Sequence, residues 1–181
     1  MYGMNIHPLF VHFPIGLLVA YSVLEVGSYV LPALRRQSWL FGVKAFLLFV
    51  GFLGALAALA TGGMAEDMIK DSSDIALLEM HATFAAATTA LYLILSVAYL
   101  VRIFDTKGWG NYVAGVNRPF IRIWSFKKYV THLMLDTWLL PAFALVALAG
   151  MTVVGALGAA IVYGPDLDPF VSFIYHLLLA Q

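Results

Sequence analysis

Two histidines stand five residues apart near the start of the chain, in the run IHPLFVHFPIGLLVAY, and a third sits in LLEMHATFAAATTALYLI. His7, His12 and His81 are the side chains best suited to chemistry, because a neutral imidazole ligates a metal through one nitrogen while the other nitrogen orients it. An ionisable group within so apolar a run reads as functional by default. If His7 caps a helix, Pro8 takes the first helical position, where its missing N–H costs nothing. His12 then lies about 7.5 Å deeper, at 1.5 Å of rise per residue. A second helix capped by Ser72 or Ser73 carries His81 roughly 12–13 Å along its axis. His12 and His81 are therefore expected at similar depth on helices running the same way, which is the geometry of bis-histidine b-type haem ligation. His7 would support this pair from nearby or substitute for one ligand. A (bacterio)chlorophyll or a non-haem metal remains an alternative occupant.

A second set of residues lies elsewhere. His132 and Asp136 are four apart and share one helical face, and Glu25 lies about 20 Å beyond His12 along its helix. His132 could ligate a second cofactor, although no histidine partner at its depth is evident. A quinone site built from His132, Asp136, Glu25 and Trp138 is one reading. An ion pair from Glu25 or Asp136 to Arg35, Arg36 or a lysine is the simpler one.

These residues must be positioned by membrane-crossing helices. Apolar residues make up 62% of the 181 and charged residues only 11%, against roughly 45–50% and 25% in soluble domains. A helix needs about 20 apolar residues to cross the hydrocarbon, and stretches near 8–31, 41–61, 75–101 and 130–162 meet that length. The fold expected is all-α: one integral-membrane domain formed by a four-helix transmembrane bundle. A short C-terminal segment, PFVSFIYHLLLAQ, is expected to lie at the interface or pack back on the bundle. The small residues of GFLGALAALATGG and of ATFAAATTA after His81 suit close helix packing and could also make room for a flat macrocycle, whereas Gly150, Gly155 and Gly158 of the last span read as packing glycines.

Nine of the ten basic residues fall between spans one and two, counting Lys44 at the head of span two, or between spans three and four. The positive-inside rule puts those segments in the cytoplasm and both termini outside. The segment from 105 to 128 mixes aromatic and basic residues, and reads as an interfacial stretch against anionic headgroups or as a docking surface. Cysteine is absent, which removes disulfides, thiolate metal sites and covalent haem attachment. The formal net charge is zero, which argues against a nucleic-acid partner. No phosphate-binding loop, metalloprotease helix or nucleophile elbow is present.

HPLFVHFPIGLL, followed by a small-residue span ending ATGGMAED, resembles the bacterial membrane family known as Domain of Unknown Function 2231. The histidine-bearing third span and a fourth span closing on VGALGAAIVYG extend the resemblance over most of the chain. The turn PDLDPF departs from the basic or histidine-containing turn expected there. The resemblance implies a four-span topology and a redox setting. The expected function is a b-type haem electron carrier of the bacterial cytoplasmic membrane, passing electrons between an extracytoplasmic redox partner and quinone or another membrane redox subunit. The alternative is a cofactor-free accessory subunit that anchors a larger respiratory or photosynthetic complex.

Overall fold

A computed structural model of the protein describes residues 7–69, 74–109, 112, 118–166 and 168–179. Among these there is no strand. The helices are α1 (His7–Val30), α2 (Pro32–Arg35), α3 (Leu40–Ile69), α4 (Ile75–Thr106), α5 (Arg118–Leu135), α6 (Leu139–Tyr163) and α7 (Pro169–Leu179). Four of them contain stretches long and apolar enough to cross a membrane: Phe10–Val30, Leu40–Ala65, Ile75–Thr106 and Leu139–Tyr163. The protein is a multi-pass membrane protein.

The four long helices close a ring. α1 packs most extensively on α3 and α4 on α6, while α1–α6 and α3–α4 contacts complete the circuit. α1 and α4 therefore face each other across a diagonal. Lipid tails are as apolar as leucine, so these helices gain little from hydrophobic burial against one another and depend on close fit. Glycines supply that fit. A β-carbon at Gly51 would lie 2.7 Å from Leu18, one at Gly54 3.0 Å from Pro14, and one at Gly150 2.5 Å from Thr88. Pro14 sits inside α1 and is buried, so the helix carries its kink-prone residue where Gly54 leaves space for the ring.

Three local outcomes differ from the sequence expectation. Ser72 and Ser73 lie outside the described residues; the cap of α4 is Asp74, whose Oδ1 accepts from the Ala76 and Leu77 amides at 2.9 and 3.4 Å. The fourth span begins at Leu139 rather than near Val130, because the chain turns at 136–138. There Thr137 Oγ1 accepts from the Leu139 amide at 3.2 Å, and Pro141 falls in the first turn of α6, where its missing N–H is tolerated. The residues before that turn form α5, an amphipathic helix joined to the end of α4. Trp124 is buried with Val101 and Phe104, and Lys128 pairs with Asp105 at 2.7 Å, while Arg122, Phe126 and Tyr129 are exposed. The C-terminal α7 packs back on the bundle: Val171 and Ile174 join Leu77, Leu157 and Ala160 in one buried cluster.

Candidate functional site

The N-terminal end of the bundle holds a histidine pair, but not the expected one. His7 on α1 and His81 on α4 approach closely enough to interact electrostatically across the diagonal. Each ring rests on a glycine of the neighbouring helix. A β-carbon at Gly62 would lie 3.3 Å from His7 Cε1, and one at Gly158 would lie 3.3 Å from His81 Cε1. His12 is exposed. The reason is helical phase: five residues advance a helix by about 500°, leaving His12 about 140° around α1 from His7.

The hydrogen bonding around His7 fixes its tautomer. Its Nδ1 lies 3.1 Å from Thr61 Oγ1, and that hydroxyl donates its single proton toward the Ala57 and Ala58 carbonyls, at 3.0 and 3.1 Å. A hydroxyl already donating can only accept from the ring, so Nδ1 carries the proton and the lone pair resides on Nε2. Burial holds the His7 imidazole below its ordinary pKa, opposed by a hydrogen bond to the Ala58 backbone. The Val154 backbone of α6 lies within hydrogen-bonding reach of the His81 ring, although the buried Nδ1 makes no hydrogen bond of good geometry. A buried polar atom left without a partner costs on the order of 1–3 kcal/mol, and the Tyr21 and Ser96 hydroxyls share this position.

The Nδ1 of His81 bears on what this end of the bundle can hold. Among the described residues no three or more histidine, aspartate or glutamate side chains converge as a metal site. A macrocycle that brings its own four in-plane nitrogens needs only one or two protein ligands. The partnerless Nδ1 of His81, the oriented His7 and the two glycine seats are compatible with such a group.

The opposite end, where the basic residues gather, is built on charge. Glu25 on α1 is buried and forms an ion pair with Lys44 of α3 at 2.9 Å. Tyr99 of α4 donates to the other carboxylate oxygen of Glu25, and Lys44 also donates to Ser28 Oγ at 3.1 Å. Tyr21 packs edge-on against Tyr99 and Tyr92, with ring centroids 5.8 and 6.4 Å apart. Ser22 Oγ is 3.0 Å from the Tyr92 hydroxyl. The expected ion pair of Glu25 is thus made with a lysine, Lys44. A cavity of about 300 Å³ adjoins this cluster.

His132 is in contact with three charged side chains. Its Nδ1 lies 2.9 Å from Asp136 Oδ2, and its Nε2 is 3.6 Å from Asp105 Oδ2. Arg102 Nη1 lies 2.9 and 3.4 Å from the two ring nitrogens, a position over the ring rather than along one lone pair. Of the residues suggested for a quinone site, Glu25 and Asp136 line the cavity, whereas Trp138 is 61% exposed.

Sequence reasoning passed over Tyr21, Tyr92 and Tyr99. The signal was present: Tyr21, Glu25 and Ser28 recur at helical spacing on one face of α1, and Tyr92 and Tyr99 are seven apart on α4. Tyrosines in a span read easily as interfacial anchors, and only the packing shows them buried.

No curated protein and no solved structure matches the chain. The pattern of one family, described as predicted membrane proteins, matches residues 3–167. With four spans in order and the HPLFVHFPIGLL opening at its head, the chain belongs to the DUF2231 family of membrane proteins.

Proposed function

We propose that the protein is a membrane electron carrier that holds a b-type haem between His7 and His81. In this reading it works in the bacterial cytoplasmic membrane with its basic segments inside. It passes electrons between an extracytoplasmic redox partner and quinone or another membrane redox subunit. The partnerless Nδ1 of His81, buried opposite an imidazole already oriented by Thr61, carries the proposal. When bound, the haem would supply a one-electron couple whose potential is tuned by ligation and burial. His81 would offer Nδ1 and His7 its unprotonated Nε2. Thr61 would hold the His7 tautomer, much as a carbonyl or carboxylate orients a metal-bound histidine. Gly62 and Gly158 would keep side-chain bulk away from both rings.

The test is a dithionite-reduced minus oxidised spectrum of the purified protein, beside His7→Ala, His81→Ala and His12→Ala. A b-type difference spectrum retained in His12→Ala and abolished in the other two is the expected result. A colourless, folded wild-type protein produced with haem in supply would sink the proposal, and the accessory-subunit reading would take its place.

A further inference from the structure

The cavity at the basic end is bounded by α1, α2, α3, α4 and the α5–α6 turn with the start of α6, at the level where the four membrane-crossing stretches begin or end. At about 300 Å³ it stands at the lower bound of small-molecule pockets, roughly 300–1,000 Å³. We propose that it binds the head of a membrane quinone, with the tail leaving toward lipid between α1 and α6. The purpose of such a site rests on the electron-carrier reading, but the binding does not require haem.

Charge bears first on the choice of ligand. Glu25 is matched by Lys44 and Asp136 is engaged with His132, while Arg35 and Arg102 also line the space. An anion would meet the two carboxylates as well as the guanidiniums. A neutral ring with two carbonyl oxygens can accept from the cations and is not repelled by the carboxylates.

The hydrogen-bond inventory argues next for a ligand that both accepts and donates. The Lys44 ammonium has three protons, and Glu25 and Ser28 take two of them. The third is available to a carbonyl oxygen. Arg102 has five N–H groups and sets one nitrogen against His132. The Glu25 carboxylate can accept a further bond from a hydroxyl. Such a wall suits both a quinone, which only accepts, and a quinol, which also donates.

Shape supplies the third argument. Phe41 and Tyr99 stack in parallel with centroids 5.0 Å apart and planes 10° apart, giving the cavity a flat aromatic side. Leu135 and Leu140 are also in its lining. A smaller lobe of about 70 Å³ shares Glu25, Ser28 and Lys44 with the main cavity and continues to Tyr29, Thr137 and Pro141. It runs between α1 and α6, and Tyr29 at its edge is half exposed.

The experiment uses the full chain in phosphatidylcholine nanodiscs and a photoreactive short-chain azidoquinone, with labelled peptides located by mass spectrometry. Labelling is expected within 25–29, 40–44 or 135–141, to be displaced by decylubiquinone, and to fall at least tenfold in Arg102→Gln. Leu135→Trp fills the chamber without touching the ion pair and should fall as far with unchanged helicity. Labelling elsewhere, or undiminished in a folded Leu135→Trp protein, overturns the proposal. Displacement by short-chain phosphatidylglycerol as effective as by decylubiquinone also overturns it, because the site then reads an anionic headgroup. Labelling as expected in a protein without a haem spectrum would leave this inference standing and remove the haem.

Discussion

The two ends of the bundle solve the problem of polar groups in lipid in opposite ways. At the basic end, Glu25 is surrounded by groups that answer its charge: Lys44 on one oxygen, Tyr99 on the other, and Ser28 sharing the lysine. At the histidine end, His7 is oriented by Thr61 and kept neutral by burial, whereas His81 leaves a buried nitrogen without a partner. The basic end is charge-compensated, although its Tyr21 hydroxyl, like His81 Nδ1, is buried without a hydrogen-bond partner. The two proposals follow this contrast: the haem proposal rests on the ring nitrogen beside the glycine seats, and the quinone proposal on the compensated charges.

The basic end should break most severely when one partner is removed. Lys44→Met leaves the Glu25 carboxylate buried and uncompensated, and removing one member of a buried pair typically costs about 3–5 kcal/mol. Interhelical hydrogen bonds in membranes average only about 0.6 kcal/mol, so the orphaned charge outweighs the lost contact. Equilibrium unfolding in mixed micelles should therefore show Lys44→Met far below wild type and the double variant Glu25→Gln/Lys44→Met recovering most of the loss. A double variant as unstable as the single one would show that the lysine acts through packing instead. Between the two ends, Gly150→Val places a β-carbon where Thr88 Oγ1 stands 2.5 Å away, and overpacking of this kind costs about 1–3 kcal/mol. Gly155 has open space around its would-be β-carbon, so Gly155→Ala is the control that should stay near wild type in the same assay.

The four-helix architecture was legible because spans are set by length and apolarity, properties carried by the sequence itself. The histidine end was half legible. His81 was recognisable as an imidazole inside a span, but choosing between His7 and His12 required the rotation of α1 against α4, which depends on where Gly54 and Gly62 let Pro14 and His7 settle. At the basic end Glu25 stood out, and a lysine partner was among those expected, yet Lys44 looked like part of a connecting loop. It lies in the first turns of α3, within reach of Glu25 because α2 is only four residues long and returns the chain at once. The 130–162 stretch misled because a continuous apolar count cannot detect a turn at 136–138. Thr137 and Pro141 mark it locally, the threonine hydroxyl accepting from the Leu139 amide and the proline falling in the first turn.

The cap that starts α4 offers a smaller and cleaner perturbation of the histidine end. Asp74 satisfies two amides and also lies 3.4 Å from the Tyr175 hydroxyl of α7. Replacing a capping aspartate by alanine costs about 1 kcal/mol. Asp74→Ala should lower unfolding stability by that amount. Asp74→Asn keeps the capping oxygen and should recover most of it. Failure of asparagine to do so would move the effect from the cap to the carboxylate charge.

The smallest effect is a pH dependence, and its sign separates the ends. Burial, the larger influence, and the Ala58 hydrogen bond opposing it leave the His7 pKa below its ordinary value of 6.5. In the unfolded chain His7 titrates near 6.5, so between that pH and the lower folded value the unfolded state binds more protons. Stability then rises with pH across this window. The contribution is complete above about 6.5 and is lost progressively as pH falls toward the folded value. Unfolding measured between pH 8 and 5 should show a modest acid-side decline in wild type that shrinks in His7→Gln, which keeps a side-chain donor for Thr61 but cannot titrate. The same decline in both proteins would transfer the effect to other groups. Because ligation and protonation compete for one lone pair, any haem held by His7 should be released in the same direction, toward acid.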